Sequence, residues 1–424
     1  MRILVIGSGG REHALVWKIS QSPRVTKTYC APGSAAISEL AEIVPIGPEQ
    51  VELLADFAAK ERIDLTVVGP ELPLTLGIAD LFETRGVKIF GPNKAAAQLE
   101  GSKAFAKELL QQNKIPTAAS GTFTNAVLAK KHIAQQKAPY VIKADGLAGG
   151  KGVIICQSRT EAESAIDEIL VRKAFGQAGD KLIIEEFLDG EEASFMVLTD
   201  STHILPLASS QDHKRVFDND EGPNTGGMGA YSPAPVVTAE MHDRILREIL
   251  APLLAGLKNR NIDYRGVIYV GLMMTPAGPK VLEFNARFGD PECQPIVMRL
   301  KSDLVPLLEA TIDGTLDRVH AEWHNEAAIC VVLCAGGYPG SYDKGKEIRG
   351  LEKLEHWKKG FVFHAGTVKD KDRWLTSGGR VLGVTARGVN IAAAMSEVYQ
   401  AAREISWEGM HYRKDIARRA LKVV

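Results

Sequence analysis

The first hundred residues alternate short runs of apolar, mostly β-branched residues with helical stretches, and this alternation constrains the fold more than any other feature. Three runs are typical of strands, Ile3–Ile6, Ile63–Val68 and Val87–Phe90, and the stretch Glu49–Arg62 is typical of a helix. Strands that alternate with helices form βαβ units, which build parallel sheets. We therefore expect a Rossmann-like, parallel-sheet N-terminal domain over residues 1–101.

The predicted strands end in loops that contain glycine, Gly7–Gly10, Gly69–Glu71 and Gly91–Asn93. Ligands of an open parallel sheet bind at the carboxyl ends of its strands, so these loops should line one site. The first loop resembles a dinucleotide fingerprint, but Glu12 replaces its third glycine, and Cys30–Gly33 supplies no acid for a ribose. This pattern disfavours a nicotinamide oxidoreductase. It leaves a helix N-terminus suited to one phosphate, with a tight strand-to-helix turn as the alternative.

The remainder of the chain predicts two further units of mixed α+β structure. A helix over Ser102–Gln111 ends close to a proline, where a new unit begins. A hairpin is predicted where Gly266–Thr275 and Lys280–Phe284 flank a turn rich in proline and glycine. We expect a middle domain over 102–325 and a small C-terminal domain over 326–424. The predicted fold class is thus multidomain, α/β followed by α+β.

The segment Lys143–Gly152 places four glycines and two lysines between two predicted strands. Glycine lets backbone amides approach phosphate oxygens, and lysine adds a mobile positive charge. The segment is no Walker A loop, because Gly152 stands where Ser or Thr should follow Lys151. It therefore predicts a nucleotide-phosphate site of another kind, with a plain hairpin turn as the alternative.

A predicted strand near residue 283 carries polar groups suited to a metal. The two-residue period of a strand puts Glu283, Asn285 and Arg287 on one face. Carboxylate and amide oxygens are hard ligands that suit Mg²⁺, and an arginine beside them would neutralise a phosphoryl group. A solvated strand face with an incidental ion pair is the alternative. Together with the glycine-rich segment, this strand indicates an enzyme that uses ATP with a metal.

Composition argues against several other classes of protein. Lys and Arg total 51 and Asp and Glu total 52, so no net field would hold a nucleic acid. The basic segment Arg413–Lys422 is interleaved with apolar residues, which favours a solvated amphipathic helix over a nucleic-acid site. Five cysteines without a Cys-x-x-Cys pair disfavour disulfides and structural zinc. No apolar run approaches the roughly 20 residues of a membrane span, so we expect a cytoplasmic protein without a membrane partner.

Longer motifs resemble those of one enzyme family. We call the predicted strand with Glu283 and Asn285 the metal strand. Together with the loop Asp145–Gly152 and the segment Glu185–Glu192, it resembles the ATP-grasp superfamily. Members of that superfamily carry a mobile lid, which the resemblance implies here over about 120–188. That superfamily usually has another acid on the preceding strand, where Gly271 and Leu272 stand in this chain. The more specific motifs resemble the phosphoribosylamine–glycine ligase family essentially from end to end. They are Gly7–His13, Gln211–Arg215, Gly222–Gly229 and Asn285–Glu292.

The resemblance implies ligation of glycine to 5-phosphoribosylamine in de novo purine biosynthesis, with cleavage of ATP to ADP and phosphate through a glycyl phosphate intermediate. It implies ATP and either Mg²⁺ or Mn²⁺ as cofactors, small-molecule partners only, and a monomer, with a dimer as the alternative. The implied catalytic residues are Lys143, Asp212 and Arg287. The implied nucleotide contacts are Lys103, Lys143, Gly149, Gly150, Lys151, Glu185, Glu186, Phe187, Leu188 and Glu192. The implied substrate contacts are Gly9, Gly10, Glu71, Asp212, Lys214 and Asp290, and the implied metal ligands are Glu283 and Asn285.

Two other functions fit parts of the pattern. One is another purine-pathway ATP-grasp enzyme, which carboxylates or formylates a ribonucleotide. The other is a regulatory module that binds ATP without turning it over. The second leaves Glu283 and Asn285 unexplained, because a sensor needs no metal-holding acid.

Overall fold

The computed structural model describes residues 1–147 and 152–422, and the N-terminal part of the chain forms a five-stranded parallel sheet. Its strands are β1 (Arg2–Gly7), β2 (Lys27–Pro32), β3 (Glu42–Ile43), β4 (Leu65–Val68) and β5 (Ile89–Phe90), in the order β3-β2-β1-β4-β5. Its helices are α1 (Gly10–Ile19), α2 (Val51–Lys60), α3 (Glu71–Leu76), α4 (Ile78–Thr84) and α5 (Lys94–Gly101). Leu4 and Ile6 of β1 face one apolar core while Ile3 and Val5 face another. The predicted parallel N-terminal sheet is confirmed.

A four-stranded antiparallel sheet follows helix α6 (Lys103–Gln112) and has its own apolar core. Its strands are β6 (Ser120–Phe123), β7 (Tyr140–Ala144), β8 (Val153–Cys156) and β9 (Leu182–Glu186), in the order β6-β9-β7-β8. Helices α7 (Ala126–Ile133) and α8 (Arg159–Ile166) pack against it. We call residues 120–186 the lid unit, because the sequence predicts a lid there. Its mobility stays a prediction.

The next part of the chain contributes strands to three different sheets. The strands are β10 (Glu191–Asp200), β11 (Ile204–Pro206), β12 (Gln211–Asp212), β13 (Arg215–Phe217), β14 (Glu221–Asn224), β15 (Gly229–Ser232), β16 (Arg265–Thr275) and β17 (Gly278–Asn285). An antiparallel sheet has the order β11-β10-β16-β17, and β13 pairs with β14 in a small hairpin. Helices α9 (Ala239–Arg244) and α10 (Ala251–Asn259) are joined by one wider helical turn. The predicted β16–β17 hairpin is present, with a two-residue turn at Pro276 and Ala277.

The C-terminal part of the chain completes a five-stranded sheet, in the order β12-β15-β18-β23-β20. The strands of this part of the chain are β18 (Ala327–Cys334), β19 (Glu347–Ile348), β20 (Gly360–His364), β21 (Thr367–Asp370), β22 (Arg373–Thr376) and β23 (Arg380–Gly388). Three of them form a separate sheet in the order β19-β22-β21. The last helices are α11 (Cys293–Arg299), α12 (Leu304–Asp313) and α13 (Ile391–Glu404). Because β15 pairs with β18, this sheet joins the predicted middle and C-terminal domains, and their boundary at 325 stays a prediction.

The predicted solvated helix over Arg413–Lys422 is wrong. The structure has a short 3-10 helix at Arg418–Lys422, and Arg413 is fully buried. Its guanidinium lies 2.8 Å from Asp220 Oδ1 and 2.8 Å from Asp415 Oδ2. These acids compensate the charge, which allows a side chain of this polarity to be buried. Within residues 1–147 and 152–422, no helix combines the length and apolar character needed to cross a bilayer.

Candidate active site

The two predicted metal ligands lie at the end of β17, after a bulge. Leu272 pairs with Val281 and Gly271 pairs with Glu283, so Leu282 is an extra residue on β17. A side chain on Gly271 would begin 3.1 Å from Glu283 Cγ, so the glycine leaves room for the carboxylate opposite it. Bulges commonly redirect side chains next to active sites, which agrees with this position.

Four positive side chains surround the Glu283 carboxylate. Lys214 Nζ lies 3.5 Å from its Oε1. The charges of Lys214, Lys143, Lys103 and Arg287 lower the pKa of Glu283 to about 2, although burial opposes them. Glu283 is therefore ionised at neutral pH, as a metal ligand must be.

Lys143 ties the lid unit to the metal strand. Its Nζ lies 3.0 Å from Glu185 Oε2 and donates to the backbone oxygen of Leu282 at 3.0 Å. Lys107 reaches the other oxygen of Glu185 at 3.2 Å. The buried Glu185 carboxylate thus holds two lysines beside the metal strand.

The start of the glycine-rich segment is attached to the N-terminus of α6. Lys103 Nζ donates to the backbone oxygen of Gly146 at 3.0 Å. Asp145 accepts hydrogen bonds of 3.1 Å from the Ser102 hydroxyl and from the backbone N–H of Ala104. Burial lowers the pKa of Lys103, although Glu283 opposes this shift. The predicted phosphate contacts Gly149, Gly150 and Lys151 lie outside the described residues.

A small apolar cluster lies where the lid unit meets the β16–β17 hairpin. Leu188, Met273 and Ala118 are buried there, with Leu282 packed against them. The neighbouring Glu186 carboxylate accepts the backbone N–H of Ala119 at 3.0 Å. Phe187, between Glu186 and Leu188, is 42% exposed. An apolar surface beside exposed backbone is suited to a flat, polar-edged base.

Lys214 bridges two acids on β10 and β17, the two strands that flank β16. Its Nζ lies 3.2 Å from Glu192 Oε2 and 3.5 Å from Glu283 Oε1. Burial disfavours its charge, but Glu192, Glu283 and Asp212 raise its pKa well above the ordinary value. Asp212 is buried as well, and burial raises its pKa to about 7, although Lys214 opposes the shift.

Arg287 is held by three oxygen-bearing side chains. Its guanidinium lies 3.4 Å from Glu71 Oε2 and 3.0 Å from Glu100 Oε1. Its Nη2 also donates to Asn285 Oδ1 at 3.2 Å. Burial opposes its charge, but Glu100 and Glu71 raise its pKa above the ordinary value. Arg287 therefore connects a predicted substrate contact to a predicted metal ligand.

Gly9, Gly10 and Asp290 lie together at the carboxyl edge of the parallel sheet. A side chain at Gly9 or at Gly10 would begin 4.0 Å from an Asp290 oxygen. Asp290 accepts a hydrogen bond of 3.0 Å from Gln294 Nε2. The Gly9 N–H donates to Glu12 Oε2 at 2.7 Å, so a carboxylate occupies the first turn of α1.

The structure brings the described site residues into one connected region, but several of their partners were missed. The missed partners are Glu100, Lys107, Arg380 and Arg419. The sequence could have indicated Lys107, because it lies four residues after Lys103 and therefore on the same face of the helix. The other three contact residues between 90 and 207 positions away, and no local pattern identifies such pairs.

The donor set fits a hard divalent cation that takes most of its ligands from elsewhere. Across the described part of the chain, no group of three or more His, Cys, Asp or Glu side chains is arranged for a metal. Glu283 and Asn285 supply two oxygen-bearing side chains from one strand end. Mg²⁺ commonly has few protein ligands and completes its shell with water and phosphate oxygens.

Three family models match the chain in order. They describe the N domain, the ATP-grasp (A) domain and the C domain of phosphoribosylglycinamide synthetase, over residues 1–100, 101–293 and 328–419. The chain belongs to the phosphoribosylglycinamide synthetase family. The resemblance drawn from its motifs is thereby confirmed.

Relatives within the phosphoribosylglycinamide synthetase family match over their whole length. A phosphoribosylamine–glycine ligase of Pseudomonas aeruginosa is 54% identical over 424 residues, with 99% of this chain and 98% of that protein covered. The protein of the same name from Vibrio cholerae is 53% identical, with 99% of each covered.

Solved structures agree with this assignment to the synthetase family. The phosphoribosylamine–glycine ligase of Thermotoga maritima superimposes with a TM-score of 0.86 at 32% identity, covering 98% of this chain and all of that one. The biotin carboxylase domain of Hydrogenobacter thermophilus 2-oxoglutarate carboxylase has a TM-score of 0.74 at 16% identity, with 100% of this chain and 98% of that one covered. The second likeness concerns the fold alone, and the ATP-grasp domain model over residues 101–293 confirms the ATP-grasp architecture.

Proposed function

We propose that the chain ligates glycine to 5-phosphoribosylamine with cleavage of ATP to ADP and phosphate, giving glycinamide ribonucleotide in de novo purine biosynthesis. The observation that carries this proposal is the ionised Glu283, with Lys214 3.5 Å away and with Lys143, Lys103 and Arg287 also lowering its pKa. Three lysines and an arginine near one carboxylate suit a polyphosphate with a metal, and Arg287 also pairs with Glu71, which follows β4 at the carboxyl edge of the parallel sheet. Relatives from two genera carry the name of this activity.

ATP would lie between the lid unit and the β16–β17 hairpin. The adenine would lie on the apolar cluster, bonded to backbone groups of Phe187 and Leu188. Glu185 would contribute to nucleotide binding by holding Lys143, and Glu186 by holding the backbone at Ala119. The Glu192 carboxylate would accept hydrogen bonds from the ribose hydroxyls. This requires the Lys214 ammonium to leave Glu192, which it pairs with in the structure. The phosphates would extend towards the lysines around Glu283.

Lys103 and Lys143 would contact the ATP phosphates, and the segment with Gly149, Gly150 and Lys151 would cover them as part of a mobile lid. Both described lysines reach the edge of this segment, since Lys103 bonds to Gly146 and Lys143 is the next-to-last residue of β7. A covered site would protect a reactive acyl phosphate from water.

Glu283 and Asn285 would hold a divalent ion, Mg²⁺ or Mn²⁺. Such an ion supplies charge neutralisation at the phosphate oxygens. Lys214 stands 3.5 Å from the same carboxylate, so its ammonium has to leave Glu283 before a cation can bind there. The released ammonium would then be available to the carboxylate of glycine.

Glycine would attack the γ-phosphoryl group through its carboxylate and form glycyl phosphate, with ADP as the leaving group. Arg287 and Lys143 would stabilise the transferring group by charge, because phosphoryl transfer depends on alignment and electrostatics. Asp212 would pair with the glycine ammonium, which favours its ionised form. No nucleophilic side chain is required.

The amine of phosphoribosylamine would then displace phosphate from glycyl phosphate. Gly9, Gly10, Glu71 and Asp290 would hold this substrate, since three of them lie together and Glu71 bonds to Arg287. Arg287 would stand between the two half-reactions, with Asn285 on its other side. This placement would bring the amine to the activated glycyl group.

The enzyme would act on small molecules in the cytoplasm as a monomer, with a dimer as the alternative. The near-equal counts of positive and negative residues agree with small, locally bound partners. Light scattering at several protein concentrations would decide between monomer and dimer. The division of the chain into domains over 1–101, 102–325 and 326–424, with a lid over 120–188, is part of the same proposal.

The proposed function is tested by measuring ADP release with ATP, glycine and phosphoribosylamine, and with each omitted in turn. We expect release only when all three are present. Release that depends on bicarbonate or formate with their ribonucleotides, and not on glycine, would assign the chain to another purine-pathway ATP-grasp reaction. Binding of ATP without release in any mixture would indicate a nucleotide sensor.

A further inference from the structure

A late stretch of the chain lies across the segment that carries Asp212 and Lys214. We call residues 411–420 the strap. His411 forms two backbone hydrogen bonds with Cys334, of 2.8 and 2.9 Å, which attach the strap to β18. The buried Arg413 donates to the backbone oxygen of Arg215 at 3.1 Å. The strap is therefore built into the fold next to the candidate site.

The strap holds the ring of His213 on both sides. The backbone N–H of Ala417 donates to His213 Nε2 at 3.0 Å, and Arg419 Nη2 lies 2.5 Å from His213 Nδ1. Burial lowers the pKa of His213 to about 4, and Arg419 acts in the same direction, although Asp220 opposes it. Because Nε2 accepts from Ala417, the neutral ring carries its proton on Nδ1, and it serves as an anchor through Nε2 that does not transfer protons near neutral pH.

Asp212 and Lys214 lie on the opposite face of the same extended segment. Side chains of an extended chain alternate between its two faces, so His213 points to the strap while its neighbours point away. The Lys214 ammonium lies 3.5 Å from Glu283, which shows that this second face looks into the site. Arg419 Nη2 also donates to the backbone oxygen of Asp212 at 3.2 Å. The Arg419 guanidinium thus holds the segment from the face that does not carry the Asp212 and Lys214 side chains.

We propose that Arg419 is a positioning residue for the glycine side of the site, an inference that rests on the proposed ligase function. It acts through its hydrogen bond to the backbone oxygen of Asp212 and through its contact with the His213 ring. These contacts hold the Asp212 carboxyl and the Lys214 ammonium where glycine binds. Within residues 1–147 and 152–422, the polar contacts of Arg419 are with Asp212, His213 and Asp220, none of which is assigned to ATP or to phosphoribosylamine.

The test compares Arg419→Met with Arg418→Met in the full chain. Arg418 is the matched control, because it is exposed and its backbone N–H donates to the backbone oxygen of Asp415 at 3.0 Å. We expect Arg419→Met to raise the KM for glycine on the order of tenfold, with the KM for ATP and for phosphoribosylamine within about twofold of wild type. Arg419→Lys should recover part of the loss, since an ammonium can still reach one acceptor.

A second measurement separates positioning from a general loss of structure. The charge of Arg419 lowers the pKa of Asp212, which burial raises to about 7. Arg419→Met should therefore shift the dependence of glycine KM on pH towards higher pH, whereas Arg418→Met should leave it in place. A purely structural defect would lower the melting temperature without moving this profile.

Equal glycine KM values for the two variants would overturn the inference. So would a common rise in all three KM values together with a fall in melting temperature, because the strap would then only stabilise the fold. Wild-type protein without glycine-dependent ADP release would overturn the ligase function instead. The two failures are therefore distinguishable.

Discussion

Arg380 of β23 donates to the Asp290 carboxylate at 2.9 Å and to the Asp290 backbone oxygen at 2.8 Å. The C-terminal sheet thus holds an acid at the edge where Gly9 and Gly10 lie. Arg380 also donates to the backbone oxygen of Gly226 at 2.7 Å. A single side chain of the C-terminal domain therefore fixes two loops of the candidate site.

Arg380→Met should raise the KM for phosphoribosylamine by about ten- to a hundredfold, because the Asp290 carboxylate loses a charged donor and its fixed position. The KM for ATP should change little. Steady-state kinetics with each substrate varied in turn measures both values. Arg387→Met is the control on the same strand, since Arg387 pairs with Glu326 at 3.4 Å. A phosphoribosylamine KM no higher than in that control would contradict the assignment of Asp290.

Glu283→Gln should lower kcat at least on the order of a hundredfold, because an amide holds a divalent cation much more weakly than a carboxylate. Thermal unfolding should show a protein that is still folded, since Glu283 is a half-buried polar residue at a strand end. Glu322→Gln removes a carboxylate from an exposed ion pair with Lys301 and should leave turnover unchanged. Normal turnover of Glu283→Gln at saturating Mg²⁺ would refute the metal assignment.

Lys214→Met should strengthen Mn²⁺ binding in the absence of nucleotide on the order of tenfold, because the competing ammonium beside Glu283 is removed. The same variant should lose turnover, since Lys214 is assigned to the glycine side. Free Mn²⁺ measured by electron paramagnetic resonance in a titration of the protein gives the affinity directly. Unchanged or weaker Mn²⁺ binding would show that Lys214 does not compete with the cation.

Acid should destabilise the protein through buried histidines, among them His13 and His213. Burial lowers the pKa of each of these two rings from 6.5 to about 4. Above 6.5 the folded and unfolded chains are both neutral at these rings. As pH falls from 6.5 to 4, the unfolded chain takes up protons first, so each ring costs up to about 1.4 kcal/mol of stability per pH unit.

Urea unfolding of wild type and His13→Gln at about pH 7 and about pH 5 tests this prediction. The free energy of unfolding should fall less between the two pH values in the variant. His320→Gln is the control, because the His320 side chain is 83% exposed. An equal fall in wild type and His13→Gln would exclude His13 as a source of acid sensitivity.

The sequence predicted the parts of the site that local pattern determines. The glycine-rich segment and the strand with Glu283 each have a recognisable composition, and Lys143 joins them through the backbone oxygen of Leu282. The parallel N-terminal sheet followed from alternating strands and helices. These features were accessible because each depends on residues close together in the chain.

The missed features depend on distant parts of the chain. The two residues of β12 are too few to show a period, and their place in the C-terminal sheet depends on pairing with β15. Arg380 and Arg419 occur among ordinary basic residues, and only the folded chain brings them to Asp290 and Asp212. The bulge at Leu282 likewise arises from pairing between β16 and β17.

The strap has a consequence for the order in which this protein is made. Arg419 follows Asp212 by 207 residues, so the segment with Asp212 leaves the ribosome long before its partner is synthesised. Domains generally fold as units during synthesis, N-terminal parts first. The nucleotide side can assemble from residues up to Arg287, whereas the glycine side has to wait for the strap. A nascent chain that already binds ATP would therefore still be unable to bind glycine productively.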